Sequence, residues 1–335
     1  MKSPIQPSAS DRSSDGLGKP RLTQIFPGGL AGFAVLVFLT LAVPFSRAQS
    51  TWNGAGTDSN WSTAANWGGV APVSGAGLAL TFSGTTRLTP VMNASYSVGQ
   101  LTFSSTAGAF NLTGGNTLTL FTGITDNSTV SSVSQTITSA VALGATNTWT
   151  SNGDPLVIAG TLALGSNSLT VAGSGKTTFN GVVSGSGASS ITKSGSGTLT
   201  LAGTNTFTGP VNVNAGIVAV TNSSGLGTST TTTVASGAAL DLSGGITVNE
   251  SAINVAGTGI SGTGAILNVS GNNTISNAVS LSADSTLGST AGTATYAGGL
   301  NLSNGGTAYN LAVAERATRP FRATSPVATA ATTSR

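Results

Sequence analysis

The sequence predicts an all-β protein, a right-handed parallel β-helix that follows an N-terminal signal peptide. Glycine accounts for 47 of the 335 residues, which is about twice its usual ~7% share, and charged residues are 6% of the chain against roughly 25% in an ordinary domain. The apolar residues of the middle of the chain recur in short runs of period two, the pattern of β-strands. No window has a sustained helical period.

Residues 1–48 have the three parts of a secretory signal peptide. A basic segment precedes an apolar stretch over 30–43, and small residues stand three positions and one position before a cleavage site at Gln49. This arrangement predicts cleavage before Gln49. The alternative is an uncleaved anchor over the uncharged run 25–45, since a spanning helix needs about 20 apolar residues.

Residues 49–314 form the predicted β-helical domain. More than half of these residues are Gly, Ser, Thr or Asn, and the steps between strand runs are irregular, which fits a solenoid whose turns vary in length. A β-sandwich is the second choice and a transmembrane barrel the third, because no aromatic girdle is present. The predicted strand runs are 101–103, 118–120, 162–164, 169–171, 199–201, 240–242, 266–269 and 300–302.

Composition excludes several classes of function. The chain has no histidine and no cysteine, so it lacks a Ser-His-Asp triad, a zinc site of His or Cys ligands and any disulfide. No cofactor is implied. The excess of positive charge belongs to the two ends, and the middle has only three cations, Arg87, Lys176 and Lys193. Nucleic-acid binding is therefore not expected, because it needs a dense cationic face.

One stretch has the pattern of a known repeat. Residues 191–201 read ITKSGSGTLTL, 205–209 read NTFTG, and Leu226-Gly227 follow after spaced valines. With these motifs, residues 185–227 resemble one full copy of the autotransporter-associated β-strand repeat, also called the passenger-associated transport repeat. Pro210 stands where the family has a small or polar residue. The resemblance implies a parallel β-helix displayed outside the cell and implies no catalytic activity.

A partial second copy of the repeat is predicted from Leu169 to Gly181, with Leu169 in the position that Leu199 has in the full copy. The first residues of the domain, with Trp52, Trp61 and Trp67 in asparagine-rich contexts, also resemble the start of many large secreted proteins that carry this repeat.

These three tryptophans are the candidate site residues. Trp52, Trp61 and Trp67 either cover the open first coil as a hydrophobic cap or stack on sugar rings. The charges of the domain are expected at exposed turns, and Asp154 and Lys176, about one coil apart, are candidates for an ion pair. Six scattered acids do not suggest a polysaccharide-cleaving site.

The sequence predicts a non-catalytic, secreted or cell-surface, passenger-like protein with a role in adhesion or surface structure. The alternative is a glycan-binding module, and a polysaccharide lyase or hydrolase comes third. Residues 315–335 are predicted to be a disordered basic tail, either truncated or frame-shifted or a true end. The expected partners are surface glycans, or a second copy paired through the coil edges, and the membrane only through the signal peptide.

Overall fold

The computed structural model of the protein describes residues 49–129, 134–228 and 231–315. The predicted signal peptide lies outside the described residues, and of the predicted tail only Glu315 is described. No helix in the described ranges is long and apolar enough to cross a membrane.

The described residues form 29 β-strands and two 3₁₀ helices, Ala64–Trp67 and Ile260–Gly262. Most strands have two to five residues, because Gly and Asn corners interrupt them. The strands are β1 (Gln49–Trp52), β2 (Gly75–Phe82), β3 (Tyr96–Phe103), β4 (Asn111–Leu112), β5 (Thr117–Asp126), β6 (Gln135–Ile137), β7 (Ala140–Leu143), β8 (Asn147–Ser151), β9 (Leu156–Ile158), β10 (Leu162–Ala163), β11 (Leu169–Ala172), β12 (Lys176–Phe179), β13 (Val183–Ser184), β14 (Ile191–Lys193), β15 (Thr198–Leu201), β16 (Val211–Val213), β17 (Gly216–Val220), β18 (Thr232–Val234), β19 (Ala238–Ser243), β20 (Thr247–Val248), β21 (Ile253–Gly257), β22 (Ile266–Ser270), β23 (Asn273–Ile275), β24 (Val279–Ser289), β25 (Ala294–Tyr296), β26 (Leu300–Asn301), β27 (Ser303–Asn304), β28 (Thr307–Ala308) and β29 (Leu311–Glu315).

All of these strands except β27 and β28, which pair with each other as an antiparallel hairpin, stack in parallel on three sides of a solenoid of about eleven turns. Side A contains β1, the second halves of β2, β3 and β5, then β8, β11, β14, β16, β18, β21, the first half of β24, and β26. Side C runs from β4 through β6, β9, β12, β15, β17, β19 and β22 to the second half of β24 and β29. Side B contains the remaining parallel strands. The prediction of an all-β parallel solenoid is confirmed.

The length of a turn follows from the strand register on side A. Leu169 pairs with Ile191, Ile191 with Val211, and Val211 with Thr232, so these three turns have nearly the same length. The first turn is longer, because Gln49 pairs with Ala79.

The predicted second copy of the repeat has the wrong offset. Leu169 belongs to side A and pairs with Ile191, whereas Leu199 belongs to side C and pairs with Thr177. The true repeat is therefore one turn of the solenoid, which is shorter than the step from Leu169 to Leu199. Each of the predicted runs does begin in a strand, but the runs come from three different sides, which explains their irregular spacing.

Alternate residues of most strands fill a narrow core, whereas β27 and β28 are exposed. Side B forms no strand near 202–209. There the buried side-chain amide of Asn205 makes hydrogen bonds between turns in place of strand-to-strand backbone hydrogen bonds. Asn205 accepts a hydrogen bond from the Val183 N–H in the preceding turn (2.8 Å) and donates to the Gly225 carbonyl in the next (2.6 Å). Gly209 is required beside it, because a Cβ there would lie 1.7 Å from the Ser189 carbonyl oxygen.

Candidate functional site

The three candidate tryptophans lie together inside the first turn. Trp52 and Trp61 are fully buried and Trp67 is 5% exposed. Trp67 presents its ring edge-on to both others, at centroid distances of 5.1 and 5.8 Å. Phe82 from the second turn packs against all three rings, at 5.7 to 6.0 Å. A sugar ring could not stack on Trp52 or Trp61 without opening this cluster.

A folded loop holds the tryptophan cluster in place. Asn66 is fully buried; it accepts from the Gly56 N–H (2.8 Å) and donates to the carbonyls of Asp58 and Asn60 (3.0 Å each). The Trp67 indole donates to the Trp61 carbonyl (2.8 Å). The chain over the core end is therefore fixed by buried hydrogen bonds, which are costly to break.

A cavity of about 460 Å³ lies beside β1. Trp67, Pro72 and Leu78 contribute apolar surface to it, and so do Val70 and Val73, which are 73% and 81% exposed. Gln49, Ser50, Thr51 and Asn53 supply polar groups. Its volume is within the range of about 300–1,000 Å³ that small ligands occupy.

The outward face of side A carries a row of uncharged polar side chains, here called the polar stripe. Strand register places its members in two columns, which are offset by two residues at β8, and neighbours within a column lie about 4.8 Å apart. None is buried. Its members are Thr51, Thr81, Thr102, Thr125 and Thr150, and then, from the same strand β8 onward, Thr148, Thr170, Thr192, Asn212, Thr233, Asn254, Ser280 and Asn301.

The prediction that the charges lie at exposed turns is wrong for several residues. Lys193 occupies an inward position of β14 and is 1% exposed. Its ammonium donates to the Gly195 carbonyl, and burial lowers its pKa to about 8. The period-2 alternation from Ile191 already places Lys193 on the core side, so the sequence contained this signal.

Acidic residues are buried as well. Asp126 is fully buried and Asp154 is 8% exposed. Asp154 and Lys176 form no ion pair; the Lys176 side chain is exposed. In the described ranges, no three residues of the types His, Cys, Asp and Glu lie close enough together to hold a metal. Nothing in the spacing of Asp126 and Asp154 along the chain indicates that the two are close in space.

Asp241 is a third acid with an unusual environment. It lies on the outward face of β19 between Ala219 and Leu267, and its Oδ1 is buried without a hydrogen-bond partner. Desolvation raises its pKa to about 6.

One comparison with known proteins gives a match. No curated protein and no solved structure matches the chain. The family model of the passenger-associated-transport-repeat matches residues 191–220, the span from the start of β14 to the end of β17. This match confirms the resemblance found in the sequence, and with the parallel solenoid it indicates an autotransporter passenger-like domain.

Proposed function

We propose that this protein is an exported, passenger-like solenoid that displays a neutral hydrogen-bonding surface at or beyond the cell surface, in adhesion or surface structure. The observation that carries the proposal is the position of the family match. Residues 191–220 form one full turn and part of the next in the middle of the solenoid, and parallel strand pairing continues from them to both described ends. The repeat is thus part of one continuous architecture.

The polar stripe supports a display role. It follows side A through all of the turns and contains no charged residue. The hydroxyls of Thr170, Thr192 and Thr233 form no hydrogen bond within the described structure, so they are free to bind water or a ligand. A neutral surface of this kind selects partners by hydrogen bonding rather than by charge.

The test is the fate of the full chain in a bacterial cell. We expect the exported product to begin at Gln49 and to be digested by external protease in intact cells. The control is a variant that lacks residues 30–43, which should remain in the cytoplasm at full length. A wild-type product that stays intracellular would refute the export proposal.

The proposed role is non-catalytic. A polysaccharide-cleaving site needs carboxylates that reach the substrate, and the two acids that the corner after side A brings together, Asp126 and Asp154, are buried. Incubation with a panel of polysaccharides should release no new reducing ends or unsaturated products. Reproducible product release would overturn this part of the proposal.

Glycan binding is a second candidate, favoured by the cavity beside Trp67. We expect a neutral oligosaccharide to change tryptophan fluorescence on titration, and Val73→Asp, in the cavity wall, to weaken binding at least about tenfold, or about 1.4 kcal/mol. Val182→Asp is the matched control, since Val182 is exposed but does not line the cavity. An unchanged spectrum with every glycan would reject this candidate.

A further inference from the structure

The corner that follows side A brings two aspartates of successive turns together. Asp126 is the last residue of β5 and occupies an inward position opposite Ser151 of β8. The Asp154 N–H donates to the carbonyl of Ser128 in the turn before it (2.8 Å). The two carboxyl groups are close enough for the charge of Asp154 to raise the pKa of Asp126, in addition to the larger effect of burial.

Each carboxyl group has an oxygen with no partner. Asp126 Oδ1 accepts from the Ser128 N–H (3.0 Å) and from the Ser128 hydroxyl (2.5 Å), but its Oδ2 has no hydrogen bond. Asp154 Oδ2 also has none, and both atoms are buried. A buried carboxylate without a partner costs several kcal/mol. Two such oxygens in one corner are compensated either by protonation of Asp126, whose pKa burial raises, or by a bound cation.

None of the three basic residues in the described ranges supplies that cation. The Arg87 guanidinium donates to the Gly54 carbonyl and the Lys193 ammonium to Gly195. Lys176 belongs to the next turn, and its side chain is exposed to solvent. The negative charge of the corner is thus not balanced by a side chain described in the structure.

We propose that Asp126 and Asp154 bind one calcium ion through their unpartnered oxygens. The charge of the ion balances that of the two carboxylates, and Ca²⁺ accepts carboxylate and carbonyl oxygens in a flexible geometry. Mg²⁺ fits less well, because it retains several water molecules and both oxygens are buried. Zinc prefers His and Cys ligands, which the chain lacks.

The experiment is calcium titration of the exported full chain after treatment with EDTA, with heat release and thermal unfolding as readouts. We expect one Ca²⁺ per chain with a Kd on the order of 10⁻⁴–10⁻³ M, the range of extracellular modules, and a higher midpoint of unfolding in CaCl₂ than in EDTA. Asp126→Asn and Asp154→Asn should each weaken binding at least about tenfold, because loss of an outer-shell contact alone costs about 10–100-fold.

Asp241→Asn is the matched control. Asp241 also has a buried oxygen without a partner, but burial is the sole cause of its pKa shift. We expect this variant to keep the full calcium response. If Asp126→Asn does not fold, Asp154→Asn and the direct titration of the wild type decide the question.

Three results would overturn the proposal: no heat and no shift with calcium, an equal response to MgCl₂, or a calcium response that survives both asparagine substitutions. Without calcium binding, a loss of stability with rising pH that disappears in Asp126→Asn would show that Asp126 is protonated in the folded protein instead. None of these results bears on export or display, so the two proposals fail independently.

Discussion

The two ends of the solenoid are covered very differently. At the N-terminal end, Trp52, Trp61 and Trp67 are each at most 5% exposed. At the described C-terminal end, Leu300 and Leu311 are only partly buried and Val313 is 43% exposed. In the described part of the chain, β26 and β29 pair on one side only, with β24.

The difference shows what a solenoid turn needs in order to bury its core. An inner turn is covered by its neighbours, so Val, Leu and Ile are sufficient. The first described turn pairs with a described neighbour on one side only, and larger side chains cover its core there. We propose that the tryptophan cluster serves as this cap, and the following predictions test the contrast between the two ends.

The largest effect is expected at the N-terminal end. Trp61→Ala removes a fully buried ring that packs against Trp67, Phe82 and Tyr96. Such truncations lower the free energy of unfolding by about 3–5 kcal/mol. Urea unfolding of the full chain measures this loss.

Leu311→Ala is the matched change at the other end. Leu311 is partly exposed in the last strand, so its truncation should cost only about 1 kcal/mol. Equal losses of unfolding free energy in Trp61→Ala and Leu311→Ala would contradict the proposed difference between the two ends. The core would then be equally well covered at both.

The sequence predicts much of this architecture but not the neighbours of each strand. Period-2 runs such as Leu199-Thr200-Leu201 identify strands, because alternation decides which face is buried. They do not identify the side of the solenoid, which is why the pattern aligns Leu169 with Leu199 instead of Ile191. The number of residues in a turn depends on the corner segments that connect its strands. The conformation of these corners is set locally by glycine and asparagine residues, which the alternation pattern does not describe.

The features of the candidate site can be predicted from the sequence only where they follow from the period-2 alternation of inward and outward residues along a strand. The sequence places Trp52, Trp61 and Trp67 at the start of the domain, but their mutual contacts depend on how a 3₁₀ turn folds back. The proximity of Asp126 and Asp154 depends on the stacking of two corners. No pattern within a single strand encodes that.

The middle turns can be compared with the two ends, because they bury a charged residue that has a neighbouring turn on each side. Lys193 pairs with Val171 in the preceding turn and Val213 in the next. Lys193→Met keeps the length of the side chain without the charge, and we expect it to raise the free energy of unfolding by about 2 kcal/mol at pH 7. Thermal unfolding measures the gain.

The pH dependence of Lys193 has a definite sign. The pKa is about 8 in the folded protein and 10.5 for an unperturbed lysine, so between these values the unfolded chain binds more protons. Wild-type stability should therefore rise as the pH increases through this window. The Lys193→Met curve should lack this rise, and the exposed control Lys176→Met should retain it. A rise that persists in Lys193→Met would refute the assignment.

The described C-terminal end of the solenoid, formed by β26 and β29 and here called the open end, should also determine self-association. We expect the full chain to associate through the edges of the last described turn, because strands that are unpaired in the described structure and exposed apolar residues favour pairing with a second copy. Val313→Lys should weaken association at least about tenfold, or about 1.4 kcal/mol. Sedimentation velocity over a concentration series measures this change.

Val70→Lys is the corresponding change at the N-terminal end, at a valine that is 73% exposed. It should leave association unchanged, because the core behind it is already covered. Monomeric wild-type protein at high concentration would refute the expectation, and equal weakening by both lysines would show that charge alone is responsible.

The smallest effect concerns the hydrogen bonds by which Asp284 of β24 holds Asn310, the residue before β29. Asp284 accepts hydrogen bonds from the Asn310 N–H (2.8 Å) and side-chain amide (3.1 Å), and these bonds lower its pKa. The stabilisation that these hydrogen bonds provide is fully present at pH values above 3.8, the ordinary pKa of aspartate. It is lost as the pH falls through the lowered pKa of the folded protein. Asp284→Asn should therefore speed amide exchange in β29 at pH 7, and β1–β2 should be unaffected.

At a pH low enough to protonate Asp284, β29 of the wild type should exchange as fast as β29 of the variant. Faster exchange throughout the solenoid would mean that the last turn is as firmly integrated as the inner turns. Exchange confined to β29 would show that the open end is a separate, weakly held unit. The aromatic cap would then be the feature that distinguishes the two ends, since both ends have unpaired strand edges in the described structure.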